Sequence, residues 1–428
     1  MSLDERLRTG LEGLDALEGA PPDSIVDAVL GRGRRHRWNR RFATIAVVVL
    51  AVLIAFVVAP KALDALRSAG ERRPAVPGDR PGIISTVAGT GAAWSSGDGG
   101  PAAEADLEYP VDLGFDGQGN LYILELGEPS NPPRVRKVDA SGLISTVAGP
   151  GASGEAGDLI LGTTFGAQGL AVDASGNVFI GGGDGPDIVN RVIRVDPSGA
   201  VTTVAGTGKA GFSGDGGPAT DAEVQDIRDV AVDRDGILYI SGDDRIRKVD
   251  QFGTITSIAG TGRRGFSGDG GPAIDAELDD TGGIALDPSG DVYFADKGNG
   301  RIRMIDTGGT ITTVAGDLAT VGPDRRTARC FAGDGGPAIE AHLCRPERIW
   351  VDSEGNLFIA DTLNARVRVV DTNGIITTVA GNGDQGPPQD GVQATESQLA
   401  NTGGVAIGPD GNLYIADSAH DRVRMVAL

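Results

Sequence analysis

The sequence predicts an all-β, six-bladed β-propeller preceded by one transmembrane helix, and three observations predict it. One short string recurs six times, the segments between recurrences break into short alternating strands, and an uncharged apolar run precedes the first recurrence. The string reads ISTVAG at 84–89 and 144–149, VTTVAG at 201–206, ITSIAG at 255–260, and ITTVAG at 311–316 and 376–381. Its spacings are 60, 57, 54, 56 and 65 residues. Within the fourth unit, residues 282–316, the runs IALD, VYFAD, RIRMID and TITTVAG are separated by Pro-Ser-Gly, Gly-Asn-Gly and Thr-Gly-Gly. Those are strand and turn signals, and four antiparallel strands repeated at this period describe one propeller blade.

The ends of the repeat region give the blade count. It opens on a lone fourth strand at 84–89 and closes on Arg422-Val423-Arg424-Met425-Val426, a third strand with nothing after it. If the N-terminal strand completes the sixth blade, the ring closes and no sheet edge is left open between first and last blades.

Ahead of the repeats, Phe42 to Pro60 is a run of 19 uncharged residues, about the length that a helix needs to cross a hydrocarbon core. Arg32, Arg34, Arg35, Arg37, Arg40 and Arg41 crowd its N-terminal side, and Lys61 alone lies close on the other. The positive-inside rule then puts residues 1–41 in the cytoplasm as a short head and the rest outside the cell membrane. The competing reading is a cleaved signal peptide ending near Val57-Val58-Ala59, against which the long head and long apolar run both argue. Residues 61–82 read as an extracytoplasmic stalk and 83–428 as the propeller.

Charge bounds the partners. The formal net charge is −21, and residues 82–428 hold 25 Lys+Arg against 49 Asp+Glu, a net −24. Such a domain repels phosphate backbones, so nucleic acid is excluded as a partner and basic or cationic partners are favoured.

The repeat resembles the NHL family most fully in GNLFIADTLNARVRVV at 355–370 and GNLYIADSAHDRVRMV at 411–426. The TVAG–SGDGGPA linkage is similar to teneurin-like and secreted bacterial NHL units. The layout also resembles the sensor domain of actinobacterial receptor Ser/Thr kinases, which hold such a propeller behind one helix. The 41-residue head is too short for a kinase domain. The resemblance implies the fold. It leaves function to the site, because propellers host unrelated activities.

Antiparallel order puts the b–c loops and the loops entering each inner strand on one face, and here those loops are the elaborated ones. The entering loops carry Asp98, Asp215, Asp269 and Asp334, each before Gly-Gly. Two readings compete: a calcium-binding turn, since Asp is the usual hard-cation ligand, and a structural turn whose carboxylate accepts backbone N–H bonds. No cofactor is firmly implied beyond that calcium alternative. Asp296, Asp361 and Asp417 face Arg301, Arg366 and Arg422 across the b–c hairpin and are expected to pair with them as blade staples.

Residues that break the repeat are the candidate ligand contacts. Just before each inner strand these are Asp112, Gln168, Arg228, Asp229, Glu347 and Arg348, interspersed with Gly-Gly pairs. Cys330 and Cys344 are private to one loop and, in an oxidising compartment, are expected to form a disulfide. The ectodomain offers only His342 and His420, which disfavours His-based metal catalysis. The sequence therefore favours a non-catalytic binding module, a sensor or scaffold. Its partners would be an extracytoplasmic protein, a peptide or a cell-wall glycan, and the head would recruit a cytoplasmic partner. The alternative is a calcium-type hydrolase or lactonase, or a lyase, working at the channel mouth.

Overall fold

A computed structural model describes residues 82–126, 132–158, 167–182, 190–317 and 330–428. The expected head, membrane helix and nearly all of the stalk lie outside these residues. Among the described residues no helix is long and apolar enough to cross a membrane.

Among the described residues twenty-four strands form six four-stranded antiparallel sheets. Blade one runs β2 (Pro110–Phe115), β3 (Leu121–Glu125), β4 (Arg134–Val138) and β5 (Ile144–Ala148); blade two runs β6 (Ala167–Val172), β7 (Val178–Gly182), β8 (Asn190–Val195) and β9 (Val201–Gly208). Blade three runs β10 (Asp229–Val232), β11 (Leu238–Gly242), β12 (Arg245–Val249) and β13 (Ile255–Ala259); blade four runs β14 (Thr281–Leu286), β15 (Val292–Asp296), β16 (Arg301–Ile305) and β17 (Ile311–Ala315). Blade five comprises β18 (Pro346–Val351), β19 (Leu357–Asp361), β20 (Arg366–Val370) and β21 (Ile376–Ala380). Blade six takes β22 (Thr402–Ile407), β23 (Leu413–Asp417) and β24 (Arg422–Val426) from the C-terminus and β1 (Ile84–Ala88) from the N-terminus. Ile84 sits opposite Val426 and Thr86 opposite Arg424, so the expected closure is present.

The inner strands β2, β6, β10, β14, β18 and β22 pack side by side around the channel. Six apolar clusters lie between successive blades, and the one joining blades six and one (Ala88, Leu113, Ala406, Met425) completes the ring. The alternation read from sequence puts these residues on the faces between blades, where burial of apolar surface stabilises the ring.

Turn chemistry explains part of the acidity. In the a–b turns Asp116, Asp173, Asp233, Asp287 and Asp352 each accept two backbone N–H bonds through one oxygen. Asp139, Asp196, Asp250 and Asp371 do the same in c–d turns. These are Asx turns, so the carboxylates shape hairpins as well as keeping the surface soluble.

The GDGGPA loops lie along the outer edge of the blade that follows them. Gly99 N–H donates to Ile144 O and Ile144 N–H to Gly100 O, 2.8 and 3.0 Å, extending β5 by a short fifth segment. Gly216–Gly217 treat Ile255 in this way, Gly270–Gly271 treat Ile311, and Gly335–Gly336 treat Ile376. Covering the outer strand removes part of its exposed hydrogen-bonding edge. Blade two lacks the loop sequence, and there the Glu155 carboxylate takes the Val201 N–H at 3.2 Å.

Candidate functional site

The corner aspartates are bound to buried arginines. Asp98 meets Arg136 at 2.7 Å, Asp215 meets Arg247 at 2.6 Å, and Asp269 and Asp334 meet Arg303 and Arg368 at 2.7 Å each. Every one of these arginines is on the third strand of the next blade and is buried. Asp390 is a fifth member, 2.8 Å from Arg424, which the sequence pattern missed because its loop reads QDGVQA. Blade two loses the whole set together: Ile193 stands in the arginine position, Gly182 in the carboxylate position, and the GDGG corner is gone. Joint loss ties the corner aspartate to its arginine, in keeping with the structural reading. Among the described residues no three His, Cys, Asp or Glu side chains are gathered as a metal site.

The expected hairpin staples are corrected by two residues. Asp296 is opposite Arg301 in register, but its carboxylate meets Arg303 at 3.6 Å; likewise Asp361 meets Arg368 at 3.8 Å and Asp417 meets Arg424 at 3.3 Å. Hydrogen bonds from Asp279 N–H and Asn299 Nδ2 hold the Asp296 carboxylate inside the blade, where only the diagonal arginine is buried with it. Arg301 instead donates to Asn299 O and stacks on Phe266, 4.0 Å from the ring centre. Burial pushes the Asp296 carboxyl up to about 7, Asp361 up to about 6 and Glu125, its counterpart in blade one, up to about 7.

Around the channel mouth, five non-glycine residues within three positions of an inner strand's start are held left-handed. Tyr109, Asp226, Asp280, Arg345 and Asn401 have φ of 49°, 48°, 53°, 48° and 52°. Such backbone is uncommon for Tyr and Arg and is over-determined by its surroundings. Tyr109 OH meets Asn401 Nδ2, while the Tyr109 N–H donates to Asp421 at 2.9 Å. On blades three to five the mouth carries a charged chain, half-exposed except at the buried Lys297. Asp280 lies 3.8 Å from Arg228, 3.5 Å from Lys297 and 3.7 Å from Arg345, and Glu347 lies 3.2 Å from Lys297 and 3.6 Å from Arg345. The sequence reading missed Asp280, Lys297 and Arg345. Asp280 and Arg345 depart from the repeat two residues ahead of the candidate pairs, and Lys297 directly follows Asp296.

One layer deeper, the inner strands present Asp112, Gly169, Asp229, Gly283, Arg348 and Gly404 in blade order. Charged residues occupy alternate blades, and glycine occupies the blades between. The glycines admit their neighbours: a Cβ on Gly283 would lie 2.7 Å from Arg348 Cα, and one on Gly404 2.8 Å from Asp112 Cα. Asp112 accepts the N–H groups of Leu113 and Leu170, and Asp229 those of Val230 and Ile284, all at 2.9 Å. Arg348 departs from this pattern. It reaches across the channel to Gln168 O on the opposite blade, with Nε 3.4 Å from Asp112 and 4.0 Å from Asp229. Burial raises both carboxyls above their usual range, Asp229 strongly. Of the six residues singled out from sequence, Asp112, Asp229 and Arg348 thus form one buried cluster, to which Gln168 contributes its backbone carbonyl. Arg228 and Glu347 belong to the exposed rim.

Cys330 and Cys344 form the expected disulfide, with Cα atoms 5.8 Å apart.

Residues 262–325 and 323–389 each match the Teneurin NHL domain. Teneurin-1 of Mus musculus is 29% identical over 258 residues, covering 52% of this chain and 9% of its own length. Teneurin-4 of Homo sapiens is 30% identical over 232 residues, covering 37% of this chain and 8% of its own length. The chain therefore spans less than a tenth of the curated relatives it matches. Among solved structures, an auxiliary nutrient binding protein from Bacteroides thetaiotaomicron superposes with a TM-score of 0.55 at 17% identity, covering 80% of this chain and 76% of that one. A second such protein, from Bacteroides ovatus, gives 0.56 at 16% identity, with 81% and 76% covered. At these identities the likeness concerns the fold. Six closed blades, the IAD–RVR hairpins and the teneurin matches together support an NHL-repeat β-propeller family.

Proposed function

We propose that the propeller is a non-catalytic binding module that takes an extracytoplasmic protein, peptide or cell-wall glycan on its elaborated face. The observation that carries this reading is the rim. Two left-handed mouth residues, Asp280 and Arg345, join the half-exposed Arg228 and Glu347 and the buried Lys297 in one charged network on blades three to five. Such a network presents both signs of charge at fixed positions, which suits specificity and steering. The domain's acidity favours a partner with basic or neutral contacts. Teneurin NHL domains and propellers described as nutrient-binding are the company this reading keeps.

The apolar segment 42–60 would anchor the protein in the cell membrane with the N-terminus cytoplasmic and the propeller outside, and the disulfide suits that compartment. Signalling would then require a cytoplasmic partner for residues 1–41.

The test is a thermal-shift screen of the full-length protein against peptides, glycans and lactones, with and without EDTA. A ligand that raises the melting temperature should lose its effect in Arg345→Glu and Glu347→Lys variants. Turnover of a lactone or ester that stops with EDTA would overturn the reading in favour of a metal-dependent hydrolase. Topology is tested separately: protease added to intact cells should cut the propeller and spare the head.

A further inference from the structure

The segments that enter the blades are fixed at the same two points. Gly89 N–H donates to Ala102 O, and Ala102 N–H donates to Gly142 O. Gly260, Gly316 and Gly381 repeat the first bond with Ala273, Ala338 and Ala394, and those alanines repeat the second with Gly309, Gly374 and Gly82. Blade two keeps both bonds, Gly149 to Ala156 at 2.9 Å and Ala156 to Gly199 at 3.1 Å. Twelve residues stand between the two anchors at 90–101, 261–272 and 382–393, against six, 150–155, on the way into blade two. The stretch that is missing is the one that covers the outer strand elsewhere.

Its loss uncovers β9. Ile84, Ile144, Ile255, Ile311 and Ile376 open the outer strands of the other blades and are fully buried, whereas Val201 in the same place is partly exposed. In blades three and five the corner aspartate also takes the next outward N–H, from Ser257 at 3.1 Å and Thr378 at 3.2 Å. Thr203 is their counterpart in β9, and among the described residues nothing meets its outward N–H or the carbonyl of Val201. Edge strands are ordinarily kept short or guarded by charge. Yet β9 runs eight residues where the outer strands of the other blades run five. Its guard is the exposed Glu155 carboxylate on Val201 N–H.

We propose that the outer edge of blade two is a docking site for an extended basic segment of a partner protein, which adds to β9 as an antiparallel fifth strand. The other five blades supply the template, because in each a segment of this chain runs antiparallel to the outer edge, as at Pro101 opposite Leu143 and Pro337 opposite Ile375. Main-chain bonds give affinity in such pairing, and alternate side chains give specificity. The basic character follows from the charges around the edge. An incoming carbonyl takes Val201 N–H from Glu155 and leaves that carboxylate beside the new strand, on a domain of net charge −24. Ile193 stands where the other blades bury an arginine, so nothing here calls for an acidic residue in the added strand. A second copy of this chain would bring a second Glu155 and a second net −24 to the seam, which disfavours self-pairing. The edge is separate from the rim and stands whether or not the rim binds a partner.

The experiment uses the full-length protein in zwitterionic lipid nanodiscs, with hydrogen–deuterium exchange resolved to single amides. The probe is a labelled peptide of alternating Lys and Val as long as β9. Its controls are the Glu-and-Val counterpart and the Lys peptide N-methylated throughout, which keeps the charge and has no N–H to donate. In the free protein the Thr203 amide should exchange at least about tenfold faster than those of Ser257 and Thr378, the scale of one hydrogen bond. The Lys peptide at saturation should slow Thr203 by about tenfold or more, and neither control should change it. Restoring the cover, by replacing residues 150–155 with the sequence of 207–218 together with Ile193→Arg, should abolish binding of the labelled peptide by fluorescence anisotropy. Val201→Pro, which removes the outward N–H from an edge position, serves should that chimera fail to fold. A Thr203 amide already protected in the free protein would overturn the proposal by showing the edge covered by this chain. Protection that rises with protein concentration would overturn it in favour of a second copy. No slowing by the Lys peptide, equal binding of either control, or binding that survives the restored cover would each overturn it as well.

Discussion

Replacing Arg303 by Met tests the central energetic claim about the blades. Arg303 is fully buried and donates to Ser267 O at 2.8 Å, Glu277 O at 3.3 Å and Asp269 at 2.7 Å, with Asp296 3.6 Å away. Methionine keeps most of the volume but strands the Asp296 carboxylate, which is fully buried. Removing one partner of a buried pair costs about 3–5 kcal/mol, whereas Asp269 is 37% exposed and loses little by returning to water. The pH dependence has a definite sign. Asp296 has a folded pKa raised by burial from 3.8 to about 7, so the folded state binds more protons than the unfolded one across that interval. Its contribution to stability is therefore present at low pH and is lost as pH rises toward 7. Without the guanidinium the folded pKa moves higher still. The Arg303→Met cost should then be full at pH 8 and smaller at pH 5, where Asp296 is neutral in variant and parent alike. Equilibrium urea denaturation at both pH values measures it, and Asp296→Asn in the Arg303→Met background should recover part of the loss at pH 8. A cost at pH 8 below about 1 kcal/mol, the scale of an exposed pair, would refute the reasoning, as would a cost independent of pH.

Four further outcomes are expected. Reducing the Cys330–Cys344 bond, or replacing both by Ser, should lower stability by about 3 kcal/mol, read by calorimetry with and without dithiothreitol. Ile84 is fully buried in the closing strand, so Ile84→Ala should cost about 2–5 kcal/mol, and removing residues 82–89, which uncovers the edge of β24, should increase aggregation read by light scattering. Gly283→Ala forces a methyl group against Arg348 Cα and should cost about 1–3 kcal/mol in the same denaturation assay. EDTA should leave the melting temperature unchanged, because the Asp98, Asp215, Asp269 and Asp334 carboxylates are taken by arginines.

The fold was legible because blade identity is written in local, repeated patterns. Strand alternation, Asp-x-x-Gly turns and the orphan strand at 84–89 each carry their meaning within a few residues. The staples were less legible. Register alone pairs Asp296 with Arg301, and the choice of Arg303 depends on which side chain is shut inside the blade, a tertiary property. Asp390 escaped notice because function at that corner needs one carboxylate and tolerates Gln and Val around it. The channel cluster was half visible: Asp112, Asp229 and Arg348 stood out as departures from the repeat. Their meeting on alternate blades, and the reach of Arg348 to the opposite side, follow only from closing six blades into a ring. The mouth residues Asp280 and Arg345 depart from the repeat, but their left-handed backbone and the charged chain they join emerge only once neighbouring blades are side by side.

The corner loops bear on how such a chain grows or shrinks by whole units. Each corner carboxylate serves the third-strand arginine of the blade that follows, so the electrostatic unit is offset from the geometric one. A duplicated cassette cut at the start of an inner strand would carry its arginine with the corner carboxylate of the next blade, so each pair would form across a junction. A cassette cut just ahead of the GDGG corner and ending at the following TVAG, such as residues 267–316, carries both members together. Only at that seam does a cassette carry a native carboxylate–arginine pair intact. The same seam is where a designer would splice blades from different propellers.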